Sequence, residues 1–258
     1  MAGKKWTTTP KSYVTIAMVS YLIIASIGSK NTTGILNGLI AVGVALAVDY
    51  LYCTFTNRKS SKDGTIITGL IISLILSVTT PWPIVAGTAM IAIVSKHLLV
   101  YKKKPIFNPA ALGLLVSIFI FHTGQSWWGA FGDLPVWTII LLLIGGYLVT
   151  GKVNKYPQVF SFFATLFVLL FLMGQLHIGD APDALRPPFI NAALFFGFFM
   201  LTDPPTSPAT YKKQVIFGCL VALSGTIIYG LFGGLTYLFI GLFVGNLYHY
   251  LNKHSMKN

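Results

Sequence analysis

Glutamate is absent from this 258-residue sequence, and aspartate occurs only at Asp49, Asp63, Asp133, Asp180, Asp183 and Asp203. Charged residues make up 9% of the chain, where a soluble domain carries roughly 25%. So little charge cannot cover a water-facing surface. That excludes an ordinary soluble globule and leaves lipid as the solvent of most of the exterior. Cysteine is scarce too. Cys53 and Cys219 lie inside apolar runs and form no CxxC, so they read as small apolar fillers rather than a disulfide or a metal site. A Walker loop, a GxGxxG after a strand and a nucleophile elbow are all missing, which argues against a solvent-facing hydrolytic enzyme. No catalytic residue and no metal ligand is nominated. The net charge of +12 would suit nucleic acid, but the lysine bias of membrane loops accounts for it, and nucleic acid is not an expected partner.

What is present is apolar and long. A spanning helix needs about 20 apolar residues. Candidate spans run 12–28, 33–55, 65–80, 82–101, 108–122, 134–150, 156–176, 188–202, 212–231 and 234–251. These ten spans form one domain over 1–258, with short connections. The polar opening MAGKKWTTTPKSY does not suit a cleaved signal, so the first span is expected to be retained. With the N-terminus in the cytoplasm, the inner segments hold Lys4, Lys5, Lys11, Arg58, Lys59, Lys62, Lys96, Lys102, Lys103, Lys104, Lys152, Lys155, Lys212, Lys213, Lys253 and Lys257. The outer segments hold Lys30 and Arg186. This bias predicts a multi-pass protein of the cell membrane with both termini cytoplasmic.

Two spans are short. The run 65–80 ends at Thr79-Thr80-Pro81, and 188–202 ends at Thr202-Asp203-Pro204-Pro205-Thr206-Ser207-Pro208. Each covers about 22–24 Å, less than a hydrocarbon core of about 30 Å. Each is the third of five spans if the chain divides into repeats at about 10–122 and 134–252. Five is odd, so such repeats are inverted in the membrane. Matched short, Pro-interrupted helices point to a binding or transport site, with both breaks near the midplane. Two ordinary helices ending in Pro turns are the plainer reading.

The polar residues gather at these places. TDPPTSP frees carbonyls that must be satisfied inside the protein or by water. Asp203, Thr202, Thr206 and Ser207 supply polar partners that either hold a ligand or cap a helix. Phe107-Asn108-Pro109-Ala110 reads as an N-cap followed by Pro at the first helical position, or as a helix start facing an anionic or carbonyl group. Asp49 is a possible partner for Lys96 at the inner end of its span. The histidines, His97, His122, His177, His249 and His254, have no spacing that demands haem.

The stretch Lys62-Asp63-Gly64-Thr65-Ile66-Ile67-Thr68-Gly69-Leu70, followed by Thr80-Pro81-Trp82, Lys96-His97 and Phe107-Asn108-Pro109-Ala110, resembles the D subunit of the Rnf electron-transport complex. It is also similar to the B subunit of the sodium-pumping NADH:quinone reductase. Phe199-Met200-Leu201-Thr202-Asp203-Pro204, with Thr206 and Ser207, resembles the second signature of that family, and the likeness covers roughly 10–252. It implies an all-α membrane fold of ten helices in two inverted halves, similar to urea transporters. It also implies an FMN held covalently by a threonine, further flavin and a quinone site, and electron passage across the membrane. The outer loop His122–Leu134 has no motif resembling D-G-x-[ST]-x-A-T, and Ile190-Asn191-Ala192-Ala193 replaces a family run before the second signature. Covalent FMN is therefore not expected; a noncovalent flavin, a partner's flavin or a quinone is. Thr80, Asn108, Pro109, Thr202, Asp203, Thr206 and Ser207 are the candidate cofactor-binding residues.

Two functions remain open on these residues. One is a non-catalytic electron-transfer subunit of a membrane redox complex, working between an inner-side donor or quinone and an outer-side flavoprotein, with an extracytoplasmic FMN-binding protein or other redox subunits as partners. The other is a small-molecule transporter or channel on the same inverted fold.

Overall fold

A computed structural model describes residues 9–58 and 60–255. Lys4, Lys5, Lys59 and Lys257 of the charge count lie outside the described residues. The chain forms two compact units, one of Met1–Leu98 with Pro109–Ile139 and one of Leu99–Asn108 with Ile140–Asn258.

The first unit holds α1 (Pro10–Gly28), α2 (Thr33–Phe55), α3 (Lys62–Ile75), α4 (Trp82–Leu98) and α5 (Pro109–Phe121). Pro10 suits the first turn of α1, and the Thr9 hydroxyl accepts from the Ser12 N–H at 3.2 Å. The second helix packs on the third and fourth, the fourth on the fifth and the first on the third. The α2–α3 contact is backbone-close: a Cβ on Gly69 would fall 2.8 Å from the Val42 Cα. Small residues allow this approach, which drives helix association where water does not.

The second unit holds a two-residue hairpin, β1 (Val100–Tyr101) with β2 (Lys104–Pro105), then α6 (Ile139–Val153), α7 (Tyr156–Gln175), the single turn α8 (Ala181–Ala184), α9 (Phe189–Phe195), α10 (Tyr211–Phe232) and α11 (Thr236–Ser255). Residue Ile139, at the boundary, belongs to the first unit. Among the five longer helices of this unit, the second (α7) packs on the fourth (α10), and the fourth on the fifth (α11). These are the pairings made by α2, α4 and α5 in the first unit. Here too glycines allow close approach, with a Cβ on Gly218 falling against the Gln158 carbonyl oxygen and one on Gly241 falling 2.6 Å from that of Val221.

Several boundaries differ from the sequence reading. The span expected over 65–80 starts earlier, at Lys62, and ends at Ile75, because Leu76 turns extended and pairs with Gln125. The span over 82–101 ends at Leu98, because Val100–Tyr101 pairs with Lys104–Pro105 across a turn in which Lys102 and Lys103 adopt φ of 50° and 64°. That left-handed pair is the geometry of a tight hairpin turn. The span over 134–150 begins with a 3₁₀ turn, Val136–Thr138, and its helix runs on to Val153.

Among the described residues, five helices are long and apolar enough to cross a membrane: Pro10–Gly28, Thr33–Phe55, Val136–Val153, Tyr156–Gln175 and Tyr211–Phe232. Trp82–Leu98, Pro109–Phe121 and Phe189–Met200 are shorter and also apolar. Large apolar side chains face outward, among them Phe55 at 85% exposure and Phe232 at 80%. In water such a surface would be unstable; in lipid it is the expected one. The protein is an all-α, multi-span membrane protein.

Candidate functional site

In the second unit α9 does not end where its hydrogen-bond ladder first loosens. Residues Phe196–Met200 form a π turn, in which the Leu201 N–H reaches back to the Phe196 carbonyl at 2.9 Å. The extra residue per turn shifts the carbonyls that follow, and such bulges occur often at functional sites. The run Thr202–Pro208 then leaves the helix. Pro204, Pro205 and Pro208 bring no N–H, so the carbonyls around them have no helical donor.

Side chains supply what the helix no longer does. The Asn108 Nδ2 donates to the Met200 carbonyl at 3.3 Å, and the Gln158 Nε2 to the Leu201 carbonyl at 2.5 Å. The Ser207 hydroxyl donates to the Asp203 carbonyl at 2.7 Å, and the Asn246 Nδ2 to the Thr206 carbonyl at 3.0 Å. Lys155 Nζ donates to the Pro208 carbonyl and, at 2.9 Å, to the Ser207 hydroxyl. The Gln214 Nε2 donates to the Ala209 carbonyl at 3.0 Å. An unsatisfied carbonyl in lipid costs several kcal/mol, so these donors are what permit the break. They come from the segment before α5, the start of α7, the first turn of α10 and the middle of α11.

The charges follow from the same packing. Asp203 is half-buried, and its Oδ2 accepts from the Thr206 hydroxyl at 2.9 Å. Lys155, in the turn between α6 and α7, is 3% exposed. Burial pushes its ammonium down to about 8; the Asp203 charge pulls it back up, and Lys253 adds to the lowering. A carboxylate and a buried amine thus share a break whose carbonyls are held in part by neighbouring side chains.

Of the candidate residues, Asn108, Thr202, Asp203, Thr206 and Ser207 fall in this unit. The Thr202 hydroxyl turns back onto the Phe198 carbonyl at 2.7 Å, inside its own helix turn. Asn108 also gives its backbone N–H to the Asn246 Oδ1 at 3.1 Å, so Asn246 ties the FNPA segment to the TDPPTSP segment. Pro109 and Thr80 belong to the first unit. Pro109 opens α5. Thr80 lies in the break after α3, where its N–H donates to the Ser77 carbonyl at 2.9 Å.

That first break is held by the same logic. The Asn37 Nδ2, from the second turn of α2, reaches the Val78 and Thr80 carbonyls at 3.4 and 3.5 Å. The Trp128 Nε1 donates to the Ser73 carbonyl at 2.7 Å, and the Ser126 and Trp127 N–H groups both reach the Ile75 carbonyl. In each unit, then, an amide near the start of the second helix satisfies the interrupted third.

The first unit carries one further polar cluster. Asp49 is fully buried and accepts from Lys96 Nζ at 3.1 Å, with His97 Nε2 at 2.8 Å from the same oxygen and the Ser60 hydroxyl on the other. The expected pairing of Asp49 with Lys96 is therefore present. Donor atoms of Asp49, Cys53 and His97 lie within 4.8 Å of one another. The Lys96 ammonium already supplies the positive charge at that carboxylate, so the cluster stands as an ion-pair network.

Sequence reasoning did not single out Gln158, Gln214, Asn246 or Asn37 as partners of the breaks, and counted Lys155 only as a loop charge. For Asn37 and Asn246 the signal present was an amide standing in a long apolar run.

Comparison with known proteins adds the relationship. The family described as NQR2, RnfD, RnfE matches over residues 3–134 and again over 125–247. A Methanosarcina acetivorans protein, named as the D subunit of an ion-translocating oxidoreductase complex, is 27% identical over 75% of this chain and 69% of its own length. Its namesake in Alcanivorax borkumensis is 23% identical over 73% of each chain. The namesake in Sodalis glossinidius is 33% identical over 40% of this chain and 30% of its own.

Proposed function

Because the chain belongs to the NQR2, RnfD, RnfE family, we propose that it is a membrane component of an ion-translocating redox complex, in a role like that of the D subunit. In this role it passes electrons between a cytoplasmic-side donor or quinone and a flavoprotein on the outer side, with other redox subunits as its partners. The observation that carries the reading is the family match over both parts of the chain, with relatives from an archaeon and from bacteria bearing the same name. The break at Thr202–Pro208, with Asn108 bonded to it, is the proposed working part. Residues about 10–122 and 134–252 are its two pseudo-repeats, inverted in the membrane of the cell, with both termini cytoplasmic. Cysteine labelling tests the sidedness: Gln125→Cys and Asp180→Cys react from outside, and Lys103→Cys reacts only after permeabilisation. The reverse pattern overturns the orientation.

The outer loop does not suit covalent flavin. Its threonine, Thr123, sits in His-Thr-Gly-Gln, and its hydroxyl lies 3.2 Å from that of Ser117. The next residues, Gln125 to Trp128, hold the end of α3. The proposed cofactor is a noncovalent flavin or a quinone. This loop also favours the second reading, a small-molecule transporter or channel without a redox group. Purification from native membranes under mild detergent separates the two. The redox reading expects co-purifying subunits and a visible flavin spectrum that is lost on denaturation, with no fluorescent band on a denaturing gel. A colourless, solitary protein that carries a solute flux in liposomes would support the transporter.

A further inference from the structure

A cavity of about 180 Å³ opens where α10 begins and α11 ends. One water needs only about 10–15 Å³ of such space, so there is room for a group of several heavy atoms. The wall carries Lys213 from the first turn of α10 and Lys253 from the last turn of α11, with His249 and Asn252 between. A smaller space of about 20 Å³ meets the same His249 and Lys253, and brings Lys104 of the hairpin to them. Four ammonium groups from four separate elements, Lys253, Lys155, Lys213 and Lys104, act electrostatically on His249.

The aspartates of this unit are Asp180, Asp183 and Asp203. The first two belong to the far end of α10, where the Tyr229 hydroxyl donates to the Asp180 carbonyl at 2.7 Å. Asp203 alone remains, and its charge acts on Lys155. Positive-inside bias explains lysines at this end of the helices, but it gives no reason for Lys213 and Lys253 to line one cavity. It also leaves the His249 Nε2 unexplained, because that atom is buried with no hydrogen-bond partner among the described residues. The Thr210 side chain does not cap α10, so the first N–H groups of that helix add partial positive charge at the same place.

We propose that this cavity binds a phosphate group, either as a free phosphate or phosphomonoester or as the headgroup of an acidic phospholipid. Lys213 and Lys253 make charge-assisted hydrogen bonds to its oxygens, and His249 donates through Nε2. The site goes beyond the redox reading and does not depend on it.

The test uses the full chain in nanodiscs. Thermal unfolding is followed in phosphatidylcholine discs with inorganic phosphate against chloride at equal ionic strength, and separately in discs containing phosphatidylglycerol. A Lys213→Gln, Lys253→Gln double variant is compared with Lys30→Gln, Lys62→Gln, which loses the same charge elsewhere. We expect phosphate, phosphatidylglycerol or both to stabilise the wild type and the control. The double variant should need at least about tenfold more of the same probe. Stabilisation by inorganic phosphate assigns a soluble ligand; stabilisation by phosphatidylglycerol alone assigns a lipid headgroup. If neither probe stabilises the wild type, or if the two double variants respond alike, there is no site. Should the cavity double variant fail to fold, Lys253→Gln alone is set against Lys62→Gln with the same expectations.

Discussion

Asn246 occupies the eleventh position of the twenty in α11, where an apolar side chain would be the ordinary choice in a membrane helix. It is fully buried and makes two bonds in opposite senses, accepting from the Asn108 N–H and donating to the Thr206 carbonyl. Asn246→Leu therefore strands one donor and one acceptor. The expected cost is roughly 2–6 kcal/mol, since each stranded buried group costs about 1–3 kcal/mol. Unfolding in a mild detergent would show it as a clear fall in midpoint; an unchanged midpoint would mean that water serves both groups. Asp203, Thr206 and Ser207 were legible in the sequence because an acid among prolines in an apolar run is conspicuous. Asn246, Gln158 and Gln214 were not. They carry no charge, and their partners are carbonyls that no sequence displays. Lys155 was hidden differently, because counting lysines by loop treats a buried one and a solvated one alike. Only its contacts with Ser207 and Pro208 tell them apart.

At the scale of elements, the interrupted third helix of each unit was legible, and its end point was not. Apolar residues run on past Ile75, and Pro81 is the first residue that must stop a helix. The helix stops six residues sooner because a distant loop competes for its carbonyls, with Trp128 taking that of Ser73 and Ser126 that of Ile75. Likewise the π turn at Phe196–Met200 has no local signature in a run of phenylalanines, and the donors that hold the next carbonyls, Asn108 and Gln158, lie far from it in the sequence. What remains of α3 is 14 residues, or about 21 Å, short enough that its hold on α2 depends on close packing. Gly69→Leu would force its side chain into the Val42 backbone, whereas a Cβ at Gly43 meets nothing within 4 Å. Overpacking costs typically about 1–3 kcal/mol, and more against backbone. Gly69→Leu should lower the yield and the unfolding midpoint of purified protein, and Gly43→Leu should leave both close to wild type. Equal behaviour of the two would remove the argument from close approach.

For the whole molecule, composition alone excluded a soluble fold, and the ten apolar runs correspond to helices of the structure. Two pairings recur in both units, the second helix on the fourth and the fourth on the fifth, and the family matches two stretches of the chain. We propose that the break at Thr202–Pro208 works in electron or ion transfer and is not merely a terminated helix. A half-buried carboxylate and a buried amine lie there beside the Asp203, Thr206 and Pro208 carbonyls, which side chains already satisfy. The most direct measurement is the electron-transfer activity of the complex assembled with Asp203→Asn, which keeps the shape and the bond from Thr206 but removes the charge. Normal assembly of the complex and an unfolding midpoint close to wild type are expected, with activity reduced roughly tenfold or more. Full activity in a normally assembled complex would contradict it, and would leave Asp203 as a helix cap.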